Sequence, residues 1–338
     1  MRNIYGLTFE EFEEYFISIG DKKFRANQVY DWIYKKRINK FDDMLNVKKD
    51  VIERLKTDFY FGEIKILTKR VGKDVIKFLF ELSDFEKIEA VVMLHDYGNS
   101  LCVSTQVGCN MGCTFCESGR LKKVRNLNTE EMVMQVLKIE SELKFRISHV
   151  VLMGIGEPFD NYDNVIKFID IINCGKGIDI GSRHITVSTC GIIPKIKEFM
   201  KLKSQVNLAI SLHAPNDELR SKLMKINKVY PLKDLIEVLK EYISVTNRRV
   251  TFEYILLEDI NDTSECALEL SNLIKEMNAY VNLIPYNETN TIGYKKSSKK
   301  HIDEFYNILK KNNINVTVRR EFGSEVSAAC GQLRANYK

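Results

Sequence analysis

No apolar run in the chain approaches the ~20 residues that a membrane-spanning helix requires, so no transmembrane segment is predicted. The opening residues, Met1-Arg2-Asn3-Ile4-Tyr5-Gly6, hold no apolar signal-peptide region, and a cytoplasmic protein is expected. Internal repeats and low-complexity segments are absent as well. A large excess of one sign of charge is missing too, with 51 Lys and Arg against 46 Asp and Glu. The net charge of +5 over 338 residues permits a nucleic-acid partner without demanding one. In a reducing compartment the eight cysteines read as thiols, ligands or catalytic groups rather than as a disulfide framework. The remainder is ordinary globular composition, 44% hydrophobic and 29% charged, long enough for one large domain or two smaller ones.

One further lack is local. Cys109-Asn110-Met111-Gly112-Cys113-Thr114-Phe115-Cys116 carries three cysteines as C-x3-C-x2-C, with no fourth at the expected spacing. A closed structural zinc site takes four ligands, and iron-sulfur clusters are usually held by four thiolates. Three thiolates at Cys109, Cys113 and Cys116 would leave one iron of a 4Fe-4S cluster open to a substrate or cofactor. Two other readings stay open on spacing alone. Zinc could recruit Cys102 or a distant histidine, or the thiols could be small buried apolar groups.

Hydrophobic periodicity divides the chain. Residues 1–61 read as helical, with a capping-box pattern at Thr8-Phe9-Glu10-Glu11 and a second helix over Phe24–Arg37 turning Val29, Trp32 and Ile33 inward. Between Lys22 and Lys40 lie seven basic residues against the single acid Asp31, interleaved with Tyr30, Trp32 and Tyr34. Either this is a solvated helix face or it is an RNA-backbone patch with aromatic stacking. Residues 62–100 alternate apolar and polar and predict three short antiparallel strands forming a small linking sheet. From residue 101 to about 320 the pattern becomes strand then helix, six times over, the first strand being Leu101–Val107, which runs into the cysteine loop. That predicts an α/β core, a partly open (β/α)6 barrel on a parallel sheet, with chemistry at the C-terminal strand ends. Thr129 is the expected cap of the first core helix. Residues 321–338 read as a C-terminal loop.

Several motifs fall at those strand ends. Gly154-Ile155-Gly156-Glu157-Pro158 offers a backbone edge that a ligand can approach closely, with Glu157 placed to assist. Ser188-Thr189 and Ser211-Leu212-His213 add hydroxyl and imidazole groups, and Asn287 adds an amide. Each taken singly is equally consistent with a turn or a cap. Cys330, in Ala328-Ala329-Cys330-Gly331-Gln332-Leu333, reads from spacing alone as a buried cysteine. Arg120, Lys122, Lys123 and Arg125 form a basic patch beside the cysteine loop, and Arg248-Arg249 and Lys295, Lys296, Lys299 and Lys300 form two more.

Taken together, C-x3-C-x2-C after a first strand, G-x-G-E-P, S-T and S-L-H resemble the radical S-adenosylmethionine enzymes. Cys102-Val103-Ser104-Thr105-Gln106-Val107-Gly108-Cys109, Asn207 to Asn216 and Ala328 to Leu333 narrow the resemblance to the RlmN/Cfr rRNA adenine methyltransferases. It runs from Tyr5 to Leu333. The resemblance implies a 4Fe-4S cluster on Cys109, Cys113 and Cys116, and an S-adenosylmethionine site lined by Gly156, Glu157, Ser188, Ser211, Leu212, His213 and Asn287. It implies two S-adenosylmethionine molecules per turnover. One methylates Cys330. The second yields a 5′-deoxyadenosyl radical that takes hydrogen from that methyl group, and the resulting carbon radical adds to adenine. Glu89 matches the family's proposed proton acceptor, and Cys102 would release the base by forming a transient disulfide with Cys330. The implied partners are 23S rRNA at the peptidyl-transferase centre, adenosine 37 of tRNA, and an external low-potential donor such as flavodoxin, with the enzyme expected as a monomer. Pro158 and Tyr5-Gly6-Leu7-Thr8 match the carbon-2 branch rather than the carbon-8 antibiotic-resistance branch. Ser327 and Glu117 depart from the usual family residues. A non-catalytic, metal-stabilised RNA-binding protein is the rival class.

Overall fold

The protein is described from a computed structural model covering residues 1–289 and 292–319. Chain order begins with β1 (Arg2–Asn3), α1 (Phe9–Ser18), α2 (Phe24–Tyr34), α3 (Lys49–Asp58) and β2 (Phe59–Tyr60). The expected capping box is present at α1. The Glu11 backbone N–H donates to Thr8 Oγ1 at 3.2 Å, and the Thr8 N–H donates to Glu11 Oε2 at 2.8 Å. Phe12, Phe16, Tyr30 and Tyr34 are buried, and Tyr30 meets Phe9 and Phe12 edge-to-face. The stacking reading of this segment is therefore corrected for Tyr30 and Tyr34, whose rings are core. Trp32 is only half-buried, with Lys36 Nζ 3.4 Å above its ring. Two of the seven basic residues also face inward work: Arg25 is buried beside Asp21, and Arg37 pairs with the buried Glu140.

The middle strands are β3 (Lys65–Val71), β4 (Val75–Glu81) and β5 (Lys87–His95), antiparallel as expected. They do not make a separate small sheet. β5 also pairs antiparallel with β6 (Gly98–Cys102), which starts the parallel core, so all of them belong to one ten-stranded sheet. The run Leu101–Val107, predicted as one strand, is split into β6 and β7 (Gln106–Val107). There the chain leaves the sheet to build the cysteine loop, and β7 pairs instead with β8 (Arg125–Asn126), beyond the short α4 (Glu117–Arg120).

The core then alternates: α5 (Thr129–Leu143), β9 (His149–Leu152), α6 (Tyr162–Asn173), β10 (Ile185–Thr189), α7 (Ile193–Lys201), β11 (Asn207–Ser211), α8 (Asp217–Leu223), α9 (Leu232–Thr246), β12 (Val250–Leu256), α10 (Ser264–Ile274), β13 (Ala279–Pro285), α11 (Lys299–Lys311) and β14 (Val316–Val318). The cap of α5 is Asn128, one residue earlier than expected, and its N–H donates to Glu131 Oε2 at 2.8 Å. The strands lie side by side in chain order from β6 through β9 to β14, all parallel. β14 adds a seventh parallel strand that periodicity did not reveal, because three residues are too few to show a period. The sheet curls without closing on itself. Arg319, just past β14, reaches across the opening to place Nη2 3.4 Å from Met93 Sδ on β5. No helix among the described residues is long and apolar enough to cross a membrane.

Candidate active site

The C-terminal strand ends enclose a cavity of about 340 Å³. Cys109, Cys113 and Cys116 line it, on a loop whose path needs glycine. Gly108 has φ +78°, and a Cβ there would fall 2.1 Å from the Lys122 carbonyl oxygen. The loop is pinned at both ends, with Cys109 N–H donating to Leu121 O at 2.9 Å and Thr114 N–H to Leu223 O at 3.0 Å. Burial pushes all three thiols up, Cys109 to about 12. A soft metal centre removes that penalty by taking the thiolate form.

The donor set is soft: three thiols on one loop face one cavity, and thiolates are the ligands that iron–sulfur clusters take. Tyr286 lines the same cavity, and burial raises the pKa of its hydroxyl.

Gly156, Glu157, Ser188, Ser211, His213 and Asn287 line the same cavity. Gly156 has φ +111°, and a Cβ there would lie 2.6 Å from Gln106 Cβ. The Glu157 carboxylate is held on both oxygens. Oε1 accepts from Phe159 N–H at 3.0 Å and Oε2 from Cys190 N–H at 2.8 Å. Burial raises its pKa above the usual carboxylate value, against the pull of these donors. Leu212 is fully buried and is not part of the lining.

His213 sits in the left-handed region at φ +58°, and its Nδ1 accepts from Ile255 N–H at 3.0 Å. The ring proton is therefore on Nε2 in the neutral form. Burial, then the Arg220 charge, pushes His213 down to about 3, so the ring is neutral at any ordinary pH. Phe115 of the cysteine loop meets this ring edge-to-face, with centroids 4.8 Å apart.

Cys102, at the end of β6, lines the cavity and is half-buried. Burial pushes it up to about 11, while Arg319 and then Lys77 pull it down and Glu89 pushes it up. Glu89 is buried just outside the lining, with Oε2 3.0 Å from Lys77 Nζ. The Cys330 assignment lies outside the described residues. No disulfide joins the seven described cysteines.

Sequence reading missed Arg220, which is fully buried on α8. Its Nη2 donates to Cys190 O at 2.7 Å, and its Nη1 to Asn227 Oδ1 at 2.8 Å. It also missed Glu253, a buried lining carboxylate that accepts from Asn282 Nδ2 at 2.8 Å. A charged residue inside an apolar strand, as in Val250-Thr251-Phe252-Glu253-Tyr254, was the available signal for Glu253. The basic patch after the cysteine loop is partly committed, since Lys123 pairs with Asp160 at 2.7 Å and Arg125 with Asp84 and Glu131, each at 2.7 Å.

Known proteins agree with this geometry. The radical SAM superfamily model matches residues 103–270, and the model for the ribosomal RNA large subunit methyltransferase N-terminal domain matches residues 2–60. The probable dual-specificity RNA methyltransferase RlmN of Spiroplasma citri is 54% identical over 339 residues, covering 99% of this chain and 98% of that protein. Its counterpart in Acholeplasma laidlawii (strain PG-8A) is 52% identical, covering 98% of each. A radical SAM methyltransferase from Sphaerobacter thermophilus superposes with a TM-score of 0.92 at 38% identity, covering 98% of this chain and 99% of that one.

Proposed function

The chain belongs to the RlmN family of radical S-adenosylmethionine RNA methyltransferases, and on that premise we propose that it methylates carbon 2 of adenosine in 23S rRNA and in tRNA, adenosine 37 included. The observation that carries this is the convergence of the cysteine triad, the Gly156-Glu157 edge, His213 and Cys102 on one cavity. Cys109, Cys113 and Cys116 would hold a 4Fe-4S cluster, which would supply the one-electron reducing chemistry that S-adenosylmethionine cleavage needs.

The other steps belong to the chain's own residues. Carbon 2 of adenine is electron-poor, so a methyl group cannot pass to it directly from a sulfonium. Cys330 therefore takes the methyl group first from one S-adenosylmethionine, and a second molecule is consumed in activating it. Gly156 exposes backbone to the bound S-adenosylmethionine, with Ser188, Ser211 and Asn287 offering hydroxyl and amide groups around it. The neutral His213 presents Nε2–H without adding charge. Glu89 accepts the proton lost from carbon 2, whose bonding electrons stay with the ring. The adduct gives up its one unpaired electron to the redox centre that the cysteine triad would hold; the Cys102 thiolate then attacks the Cys330 sulfur, forming a transient disulfide as the carbon–sulfur bond breaks, and the methylene carbon keeps that bond's electron pair and takes up a proton to become the methyl group of the departing base. An external low-potential reductant such as flavodoxin delivers the electron, and the enzyme works as a monomer in the cytoplasm, where its RNA substrates are.

The decisive experiment purifies the protein anaerobically, measures iron and sulfide, and maps the methylated ring position in rRNA and tRNA by mass spectrometry. Methyl on carbon 2, lost in Cys330→Ala, is expected. Methyl on carbon 8, or a colourless zinc protein without S-adenosylmethionine binding, would overturn the assignment. Full activity in Cys330→Ala would remove the carrier route.

A further inference from the structure

The cysteine loop is a wall one backbone thick. Cys109, Met111, Cys113 and Phe115 line the cavity, whereas Asn110, Gly112 and Thr114 between them do not. Asn110 and Thr114 are exposed, so alternate residues face solvent. Two segments border this outer side. Residues 121–124 run along its start, where Cys109 N–H donates to Leu121 O at 2.9 Å and Lys123 N–H to Asn110 Oδ1 at 3.1 Å. Residues 223–229 lie along its middle, where Thr114 N–H donates to Leu223 O at 3.0 Å. Gly112 has φ +62°, and a Cβ there would stand 3.3 Å from Lys225 Cδ and 3.6 Å from Lys225 Nζ. The Lys225 side chain therefore lies across the wall where the backbone is bare. Lys122, Lys225 and Lys228 are all exposed. None of the three forms an ion pair among the described residues. From Leu219 to Tyr230 the chain carries Arg220, Lys222, Lys225 and Lys228 and no acid. Val124 and Val229, in the two bordering segments, are 58% and 64% exposed.

Resting on the function proposed above, we propose that the outer face of this wall is where the enzyme's electron donor docks, an acidic one-electron carrier protein, with Lys225 at the centre of the contact. The donor loses one electron there and the centre held by the cysteine triad gains it, with no bond made or broken. Electron transfer between proteins weakens steeply with distance, so the favoured approach has the least protein in between. On the mouth side, S-adenosylmethionine and the RNA base stand between the centre and solvent. On the outer side one backbone separates solvent from the cavity that Cys109 and Cys113 line. Charge and composition choose the class of partner. Exposed lysines steer an acidic protein and disfavour a basic one. Val124 and Val229 offer apolar area of the kind a protein interface buries at its core, whereas a phosphate backbone presents nothing to cover them.

The test compares anaerobically reconstituted full-length enzyme with the double variant Lys225→Glu and Lys228→Glu. Lys311→Glu, at the C-terminal end of α11, is the control. The probe is reduced flavodoxin, a small acidic flavin protein. Three quantities are read: affinity for flavodoxin at low and high salt, the rate at which the visible absorbance of the metal centre bleaches on mixing, and affinity for RNA. The double variant is expected to lose about tenfold or more in both flavodoxin readings at low salt, with the difference closing at high salt. Dithionite, small enough to need no docking, should bleach variant and parent at the same rate, and Lys311→Glu should match the parent throughout. Carbodiimide coupling of the parent enzyme should join Lys225 to a flavodoxin carboxylate, which tests the site without any substitution. Parent-like flavodoxin affinity and bleaching in the double variant overturn the inference. So do equal losses with flavodoxin and dithionite, which make the lysines supports of the cysteine loop. Weakened RNA binding with flavodoxin binding intact assigns the patch to RNA instead. A parent protein that takes up no iron would sink the functional reading beneath the proposal.

Discussion

Arg220 on α8 donates through Nη2 to the Cys190 carbonyl oxygen at 2.7 Å, and this one contact fastens a helix outside the sheet to the loop behind the cysteine cavity. Other nitrogens of the same guanidinium reach Leu212 O at 3.3 Å and Asn227 Oδ1 at 2.8 Å. The group is fully buried, and its worth lies in the number of acceptors it serves at once. Arg220→Met would leave those acceptors without donors in a dry interior. Each such group costs about 1–3 kcal/mol, so a loss of about 3 kcal/mol or more is expected in urea unfolding, with weaker S-adenosylmethionine binding.

Gly156 tolerates no side chain. Alanine there must adopt φ near +111° and overlap Gln106, whose Cβ would stand 2.6 Å away. Strain of about 1–3 kcal/mol is expected. Gly156→Ala should therefore abolish S-adenosylmethionine binding, measured calorimetrically, while iron content stays at the parent level. Gln106 itself donates to Asp160 Oδ2 at 2.8 Å, so the neighbour cannot swing away without losing a partner.

Replacing any one cysteine of the triad should remove the metal centre. Cys113→Ser is expected to lower bound iron to near background and bleach the visible absorbance, with the helical circular dichroism preserved. The fold survives because the loop is pinned through Thr114 and Leu121 rather than through the sulfurs. Thr114 Oγ1 also lies 2.8 Å from the Tyr294 hydroxyl.

The neutral His213 makes stability depend on pH. Its folded pKa of about 3 lies below the unfolded value of 6.5, so below 6.5 the unfolded chain binds the proton first. Stability is therefore complete above about pH 6.5 and is lost as pH falls toward 3, by up to about 1.4 kcal/mol per pH unit. Thermal melts of the parent protein and His213→Asn between pH 7 and 5 test this, and the variant is expected to show the flatter dependence. Asparagine is chosen because it accepts the left-handed backbone at this position.

The 22–40 segment keeps five exposed lysines: Lys22, Lys23, Lys35, Lys36 and Lys40. If they track RNA phosphates, the double variant Lys35→Glu and Lys36→Glu should weaken RNA binding and flatten its salt dependence by about one unit of slope per lost phosphate contact. Methyl transfer to Cys330 should be unaffected.

Much of this molecule was legible in one dimension. Helix periodicity located α1, α2, α5, α9 and α11, since their apolar faces recur at turns of the helix regardless of what they pack against. The cysteine triad and the strand-end motifs were equally plain, because their chemistry is carried by neighbours in sequence. The cap at Asn128 and the split of Leu101–Val107 were not, because each depends on which backbone donor finds a partner. Tyr30 and Tyr34 were misplaced because an aromatic residue among lysines looks the same whether its ring faces solvent or core.

Sequence alone determined the α/β class, the order of the βα units and the set of thiols, all of which follow from local period and local spacing. Tertiary structure alone decided that Lys77, Glu89 and Cys102 share one face and that Arg220 serves several distant carbonyls. The reason is physical. Register across strands and the burial of charge are properties of pairs brought together from far along the chain, and no window of sequence contains both members.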